Sequence, residues 1–115
     1  MPSTTRYRRG DIVLVPFPFT DLSSSKRRPA LVVSPDDFNG RLQDLVVIAI
    51  TSQLTDDNAV TVEQDDCVDG MLPKTSVVKL AKLFTIHSTL VLKRICALRD
   101  EKLDAVLGEL RRFFS

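Results

Sequence analysis

The hydrophobic positions of this chain fall into several short runs and, at the end, one helical stripe. The run over 11–19 begins Asp-Ile-Val-Leu-Val after the turn-forming Arg9-Gly10-Asp11, and its β-branched residues predict a strand. Pro16 and Pro18 donate no ladder hydrogen bond, so that strand is expected to stop or to reach a sheet edge there. Residues 20–29, Thr-Asp-Leu-Ser-Ser-Ser-Lys-Arg-Arg-Pro, have the composition of a loop. Ala30-Leu-Val-Val-Ser34 reads as a second short strand, halted by Pro35. Residues 45–52 form a continuous run dominated by Val and Ile, the pattern of a strand covered on both faces. Residues 59–63 alternate weakly, as a hairpin partner would, and 65–70 read as a turn.

The segment 76–86 gives two signals. Lys79 and Lys82 stand at helical spacing, but Val77, Val78, Phe84, Thr85 and Ile86 favour a strand, which is the reading adopted. Residues 90–92 and 94–98 suggest one more strand, broken near Lys93. Beyond it, Leu103, Val106, Leu107, Leu110, Phe113 and Phe114 recur at helical spacing and make one apolar stripe. Asp100 reads as its N-cap, and Arg111 and Arg112 sit where the helix dipole favours cations. Core burial is the expected fate of Phe113. Many short strands followed by one helix predict a mostly β, α+β fold: a small half-open barrel closed by a C-terminal helix.

The chain is 115 residues long, which makes 1–115 a single domain just large enough to bury a proper core. No apolar run approaches the roughly 18–20 residues that span a bilayer. The first ten residues are polar and basic and lack the apolar stretch of a secretion signal, which points to the cytoplasm. Cys67 and Cys96 show no metal spacing and no C-x-x-C, so they read as free thiols in a reducing compartment. A net charge of +1 says nothing about a polyanionic partner, but the distribution does. Residues 1–28 hold six basic groups against two acids, residues 36–69 hold nine acids and one Arg, and residues 70–99 hold six basic groups and no acid. Two basic stretches meeting on one face would attract phosphates; apart, they are a solvated mixed surface.

Three segments in order carry a resemblance: Arg9-Gly-Asp-Ile-Val-Leu-Val, then Arg28-Pro29-Ala-Leu-Val-Val-Ser34, then Ile48-Ala-Ile-Thr51-Ser52. With Val77-Val-Lys79, Phe84-Thr-Ile86 and the terminal amphipathic helix, the chain resembles the MazF/PemK toxin family over nearly its whole length. The resemblance implies an SH3-like barrel, a homodimer, and metal-independent cleavage of single-stranded RNA that leaves a 2′,3′-cyclic phosphate. It implies no cofactor, and a cognate antitoxin whose flexible C-terminal segment occupies the RNA groove. The family's catalytic Arg falls on Arg28 and its Thr on Thr51.

Those residues suit the chemistry. Attack of a ribose 2′-hydroxyl on its own phosphate builds charge on the non-bridging oxygens, which a guanidinium fork and a hydroxyl donor match. Lys26, Arg27, Ser52 and Lys79 are the expected RNA contacts, Lys79 aligning with a functional Arg of some relatives. Phe17 and Phe19 flank Pro18 and offer either a stacking platform for bases or core packing. One His, scattered acids and separated cysteines make no metal-ligand cluster.

The chain also departs from the family. A Glu that some relatives place before the Arg-Pro pair falls near Ser23, and an Asp used by others falls on Ala81. The proton-transfer groups are therefore unassigned, with Asp21, Asp36, Asp37 and His87 as the remaining candidates. Two other readings follow. One is a degenerate member that binds RNA or antitoxin without cutting. The other is a non-enzymatic gyrase inhibitor resembling CcdB, which would lean on its terminal helix.

Overall fold

The computed structural model describes residues 7–17, 26–54 and 58–115. Its seven strands are β1 (Asp11–Phe17), β2 (Lys26–Val32), β3 (Asp44–Thr51), β4 (Ala59–Val62), β5 (Cys67–Val68), β6 (Ser76–His87) and β7 (Lys93–Leu98). A short helix α1 (Asp36–Arg41) links β2 to β3, and α2 (Asp100–Phe113) ends the chain. The strands form one curled sheet in the order β4-β6-β3-β2-β1-β7-β5, antiparallel at every pairing.

The central strands are apolar on both faces because both faces are covered. On one side Ile12, Leu31, Ile48, Ile50, Val78 and Cys96 form the main core, onto which α2 lays Val106 with Leu103, Leu107 and Leu110. On the other, Val13, Val15, Ala30, Val32, Leu45, Val47 and Ile86 pack with Tyr7, Phe84 and Val91. The unbroken Val/Ile run of β3 is thus the signature of a strand buried twice over, as its pattern predicts.

Four features depart from the sequence expectation. The first is β2, which begins at Lys26, so the basic run Lys26-Arg27-Arg28 is strand and not loop. Its polar composition is overridden by pairing with β1, where Arg28, Arg27 and Lys26 face Val15, Pro16 and Phe17. Both prolines are tolerated because each lies where one neighbour is missing. The β7 pairing of β1 ends at Leu14, before Pro16, and the β3 pairing of β2 begins only at Ala30, after Pro29. Pro16 therefore marks a sheet edge, as expected.

The second is a bulge in β6. Ile48 pairs with Leu83 and Ile50 with Val78, so residues 79–82 stand where β3 has only Ala49. The excess breaks the period of two, and this is why Lys79 and Lys82 mimic helical spacing. Third, Ser88–Leu90 is a 3-10 turn and β7 starts at Lys93; β4, expected as a hairpin partner, pairs antiparallel with β6. Last, α2 is N-capped by Arg99 without a side-chain bond, and Asp100 and Glu101 occupy its first turn, where the dipole favours acids. The stripe of α2 reaches the core only through Leu110. Phe113 is 37% exposed and Phe114 65%, their rings edge to face at 5.1 Å, so Phe113 is not a core residue.

The Arg-Gly-Asp turn is structural. Asp11 is buried and accepts from Arg8 N at 2.9 Å and from Arg94 Nε at 3.0 Å, which ties β1 to β7. Gly10 sits at φ +99°, with Leu103 of α2 3.0 Å from where a Cβ would be.

Candidate functional site

The pairing of β2 and β3 explains where a groove opens. It ends at Ala30 opposite Ala49, and continuing that register by two residues would set Arg28 opposite Thr51. The strands part there instead. A groove of about 260 Å³ lies between them, lined by Arg27, Arg28, Pro29, Ile50, Thr51 and Ser52 from the strands and by Leu72, Pro73, Lys74 and Ser76 from across the way.

Thr51 closes β3 opposite Val77 of β6, and its Oγ1 accepts from Gln53 N at 3.1 Å. Accepting there leaves the hydroxyl proton available to donate, on a residue that lines the groove. Arg28 is half-buried, and no carboxylate among the described residues lies within ion-pair distance of Arg27, Arg28 or Lys74. Cations and hydroxyls without a carboxylate make a lining complementary to a phosphodiester.

Four of the sequence-predicted residues thus share the groove: Arg27, Arg28, Thr51 and Ser52. Lys26 is exposed at the start of β2, in register with Phe17 at the end of β1. Lys79 pairs with Ala59 on the β4 side of β6 and is not in the groove lining. Phe19, Asp21 and Ser23 lie outside the described residues.

The other acid–base candidates stand at the far end of the barrel. His87 faces Asp44, which is seven residues (51 − 44) down β3 from Thr51, or roughly 23 Å along the strand. Its Nδ1 accepts from Thr89 N at 3.3 Å and lies 2.7 Å from Thr89 Oγ1, which caps the following 3-10 turn. Asp36 and Asp37 open α1, beyond the other end of β2 from Arg28. Asp36 accepts from Arg9 N at 2.7 Å and pairs with Arg8 at 3.6 Å. Ala81 lies in the bulge, exposed.

Lys74 and Ser76 escaped sequence reasoning. The one available signal was the acid-free basic stretch 70–99, two of whose six cations are used elsewhere: Arg94 pairs with Asp11 and Asp69, and Arg99 Nε donates to Asp65 O. The cysteines are free, as expected, and both are buried. Burial, with Cys67 beside it, pushes the Cys96 thiol from 9.0 up to about 12, so it offers no thiolate for chemistry. Among the described residues no helix is long and apolar enough to cross a membrane.

A family model described as PemK-like, MazF-like toxin of type II toxin-antitoxin system matches residues 8–114. A MazE-MazF crystal structure (Form-III) from Deinococcus radiodurans is similar with a TM-score of 0.77 and 22% identity, over 96% of this chain and 97% of that one. An endoribonuclease in complex with its cognate antitoxin, from a Mycobacterial species, is similar at 0.73 and 17% identity, over 95% and 93%. The Mycobacterium tuberculosis toxin MazF-mt6 is similar at 0.73 and 20% identity, over 90% and 95%. A search of the curated proteins found no match. These likenesses show the fold: the small half-open barrel with a terminal helix that the run pattern predicts, of the SH3-like kind that the resemblance implies.

Proposed function

Because this chain belongs to the PemK-like, MazF-like toxin family of type II toxin-antitoxin systems, we propose that it is an endoribonuclease that cuts single-stranded RNA at the Arg28–Thr51 groove. The observation that carries the reading is the lining itself. Strands that part at Ala30 and Ala49 present a guanidinium and a hydroxyl to one small cavity that is free of carboxylates among the described residues.

The ribose 2′-oxygen attacks the adjacent phosphorus. A P–O2′ bond forms, the P–O5′ bond breaks, the 2′-proton leaves to a base and the 5′-oxygen takes up a proton. The products are a 2′,3′-cyclic phosphate and a 5′-hydroxyl. Charge grows on the non-bridging oxygens in the transition state. Arg28 meets it with two parallel N–H donors, and Thr51, whose Oγ1 already accepts from Gln53 N, adds an O–H donor. A guanidinium has five N–H donors and no acceptor, so Arg28 acts as an electrostatic stabiliser, not as the base. These donors supply the charge stabilisation, so cutting proceeds without a divalent cation.

Arg27, Ser52 and Lys26 guide the strand toward this pair. The antitoxin inhibits by laying its flexible C-terminal segment in the same groove, and the toxin works as a homodimer in the cytoplasm. The test is incubation of the pure protein with a long single-stranded RNA in excess EDTA, beside Arg28→Ala. Discrete cuts ending in cyclic phosphate, absent in the variant, are expected. Intact RNA with the wild type refutes the reading.

A second reading draws on the exposed Phe113–Phe114 pair at the end of α2. A non-cutting toxin directed at gyrase would bind through that helix. A supercoiling assay separates the two: inhibition by the wild type that Phe114→Ala abolishes belongs to this reading alone.

A further inference from the structure

Lys74 reaches the groove on a loop that the fold holds in place. The loop over 69–75 joins β5 to β6 and is pinned at four points. Asp69 pairs with Arg94 at 3.7 Å. Gly70, at φ +135°, lies so close to β7 that a Cβ would sit 2.1 Å from Ile95 O. Leu72 is buried in the main core at 1% exposure. Ser76 Oγ, itself buried, donates to Lys74 O at 3.0 Å. These anchors fix the backbone that carries an exposed lysine into the lining beside Arg27 and Arg28.

Three like charges around one groove of about 260 Å³ repel one another, and no carboxylate among the described residues relieves them. Such an arrangement costs stability in the free protein and is favourable once a polyanion enters.

We propose that Lys74 is a substrate-binding residue of this groove, holding a backbone phosphate of the RNA strand that flanks the one gripped by Arg28. This rests on the nuclease reading above. The division of labour follows from the two head groups. A guanidinium fork imposes a geometry and suits the reacting phosphate, whereas an ammonium is a point charge on a flexible stem and suits a neighbour that must be held but not aligned. Contact with a non-reacting phosphate is the same in ground and transition states, so it appears in KM and not in kcat.

The test compares wild type, Lys74→Gln, Lys74→Arg and Arg41→Ala, the last removing one charge from α1 at the far end of the barrel. Binding is followed by anisotropy with a fluorescent 2′-O-methyl RNA, which cannot be cut, across a series of KCl concentrations. Cleavage of the unmodified RNA is followed in parallel. Lys74→Gln is expected to weaken binding roughly tenfold at low salt and to lower the slope of log K against log[KCl] by about 0.7, the loss of one single-strand phosphate contact. It raises KM by a similar factor and leaves kcat within about twofold. Lys74→Arg keeps the slope, and Arg41→Ala matches wild type.

An unchanged slope and KM in Lys74→Gln, or an equal loss in Arg41→Ala, overturns the inference while leaving the nuclease reading intact. A wild type that binds the probe with a Lys74-dependent slope but cuts nothing overturns the nuclease reading and leaves Lys74 as a phosphate contact. No binding by the wild type overturns both.

Discussion

The two ends of the barrel differ in how they hold their cations. At the α1 end, Arg9 donates through its backbone to Asp36 and through Nε to Val33 O, and Arg8 pairs with the same Asp36. At the other end, Arg27, Arg28 and Lys74 line a groove with no acid among the described residues. The α1 end holds a cavity larger than the groove: about 380 Å³, lined by Tyr7, Asn39, Arg41, Gln43, Ser88 and Thr89 among others, against about 260 Å³. Volume therefore does not identify the site. What sets the groove apart is the clustering of three cations with no carboxylate partner among the described residues, where the α1-end cavity has one, Arg41. They stand next to a hydroxyl that already accepts from a backbone N–H.

The strongest way to sharpen this contrast is to remove the groove's central cation. Arg28→Ala is expected to reduce cleavage by about 10³-fold, somewhat more than one oxyanion-type donor contributes elsewhere, because the fork provides two bonds and a full charge. The fold should hardly notice, since Arg28 has no ion-pair partner among the described residues, and the thermal midpoint should stay within about 3 °C. Activity retained in Arg28→Ala would remove the chemical distinction between the two ends.

Next in size is a change that acts through the scaffold. In Gly70→Ala the new methyl would lie 2.1 Å from Ile95 O on backbone at φ +135°, so either β7 or the loop must shift. A loss of about 3 kcal/mol in urea denaturation is expected. At temperatures where the variant remains folded, its KM for RNA should rise, because Lys74 is carried on the displaced loop. Full stability with full affinity would show that the loop is not the rigid arm described above.

Thr51→Val follows. It keeps shape and β propensity but deletes the hydroxyl, and a loss of roughly 10- to 30-fold in kcat with little change in KM is expected for one neutral hydrogen bond formed in the transition state. Thr51→Ser should recover most of it. A drop confined to KM would make Thr51 a binding residue and leave Arg28 to act alone.

How much of this was legible in the sequence follows the range of the interactions involved. The buried strands were readable because double burial writes itself as uninterrupted Val and Ile, above all in β3. Lys26 to Arg28 were not readable as strand: their composition is that of a loop, and only pairing with Val15, Pro16 and Phe17 makes them extended. The bulge at 79–82 disguised β6, since four residues against one erase the alternation on which the reading depends. Phe113 continues the helical stripe in sequence but not in space, because the core stops at Leu110. Arg28 and Thr51 were reached through the family resemblance. Lys74 was hidden because nothing local marks which exposed lysine faces a groove; that is decided by Leu72 entering the core and Gly70 pressing against β7.

The smallest expected effect is also the most direct trial of the contrast. His87 is the chain's only imidazole, so composition alone recommends it as a base. Geometry does not: it stands across from Asp44, roughly 23 Å down β3 from Thr51, with Nδ1 already engaged by Thr89. His87→Ala should therefore leave kcat/KM within about twofold and the pH profile unmoved, while costing about 0.5–1 kcal/mol through the lost cap on the 3-10 turn. A tenfold loss with an altered acidic limb would mean that His87 reaches a groove which its own chain cannot bring to it. In a homodimer the remaining source is the partner's groove, so mixing His87→Ala with Arg28→Ala protomers should then restore one intact site per mixed dimer and part of the activity. Silence in His87→Ala instead keeps the chemistry at the cationic end, where each groove draws its named residues from a single chain.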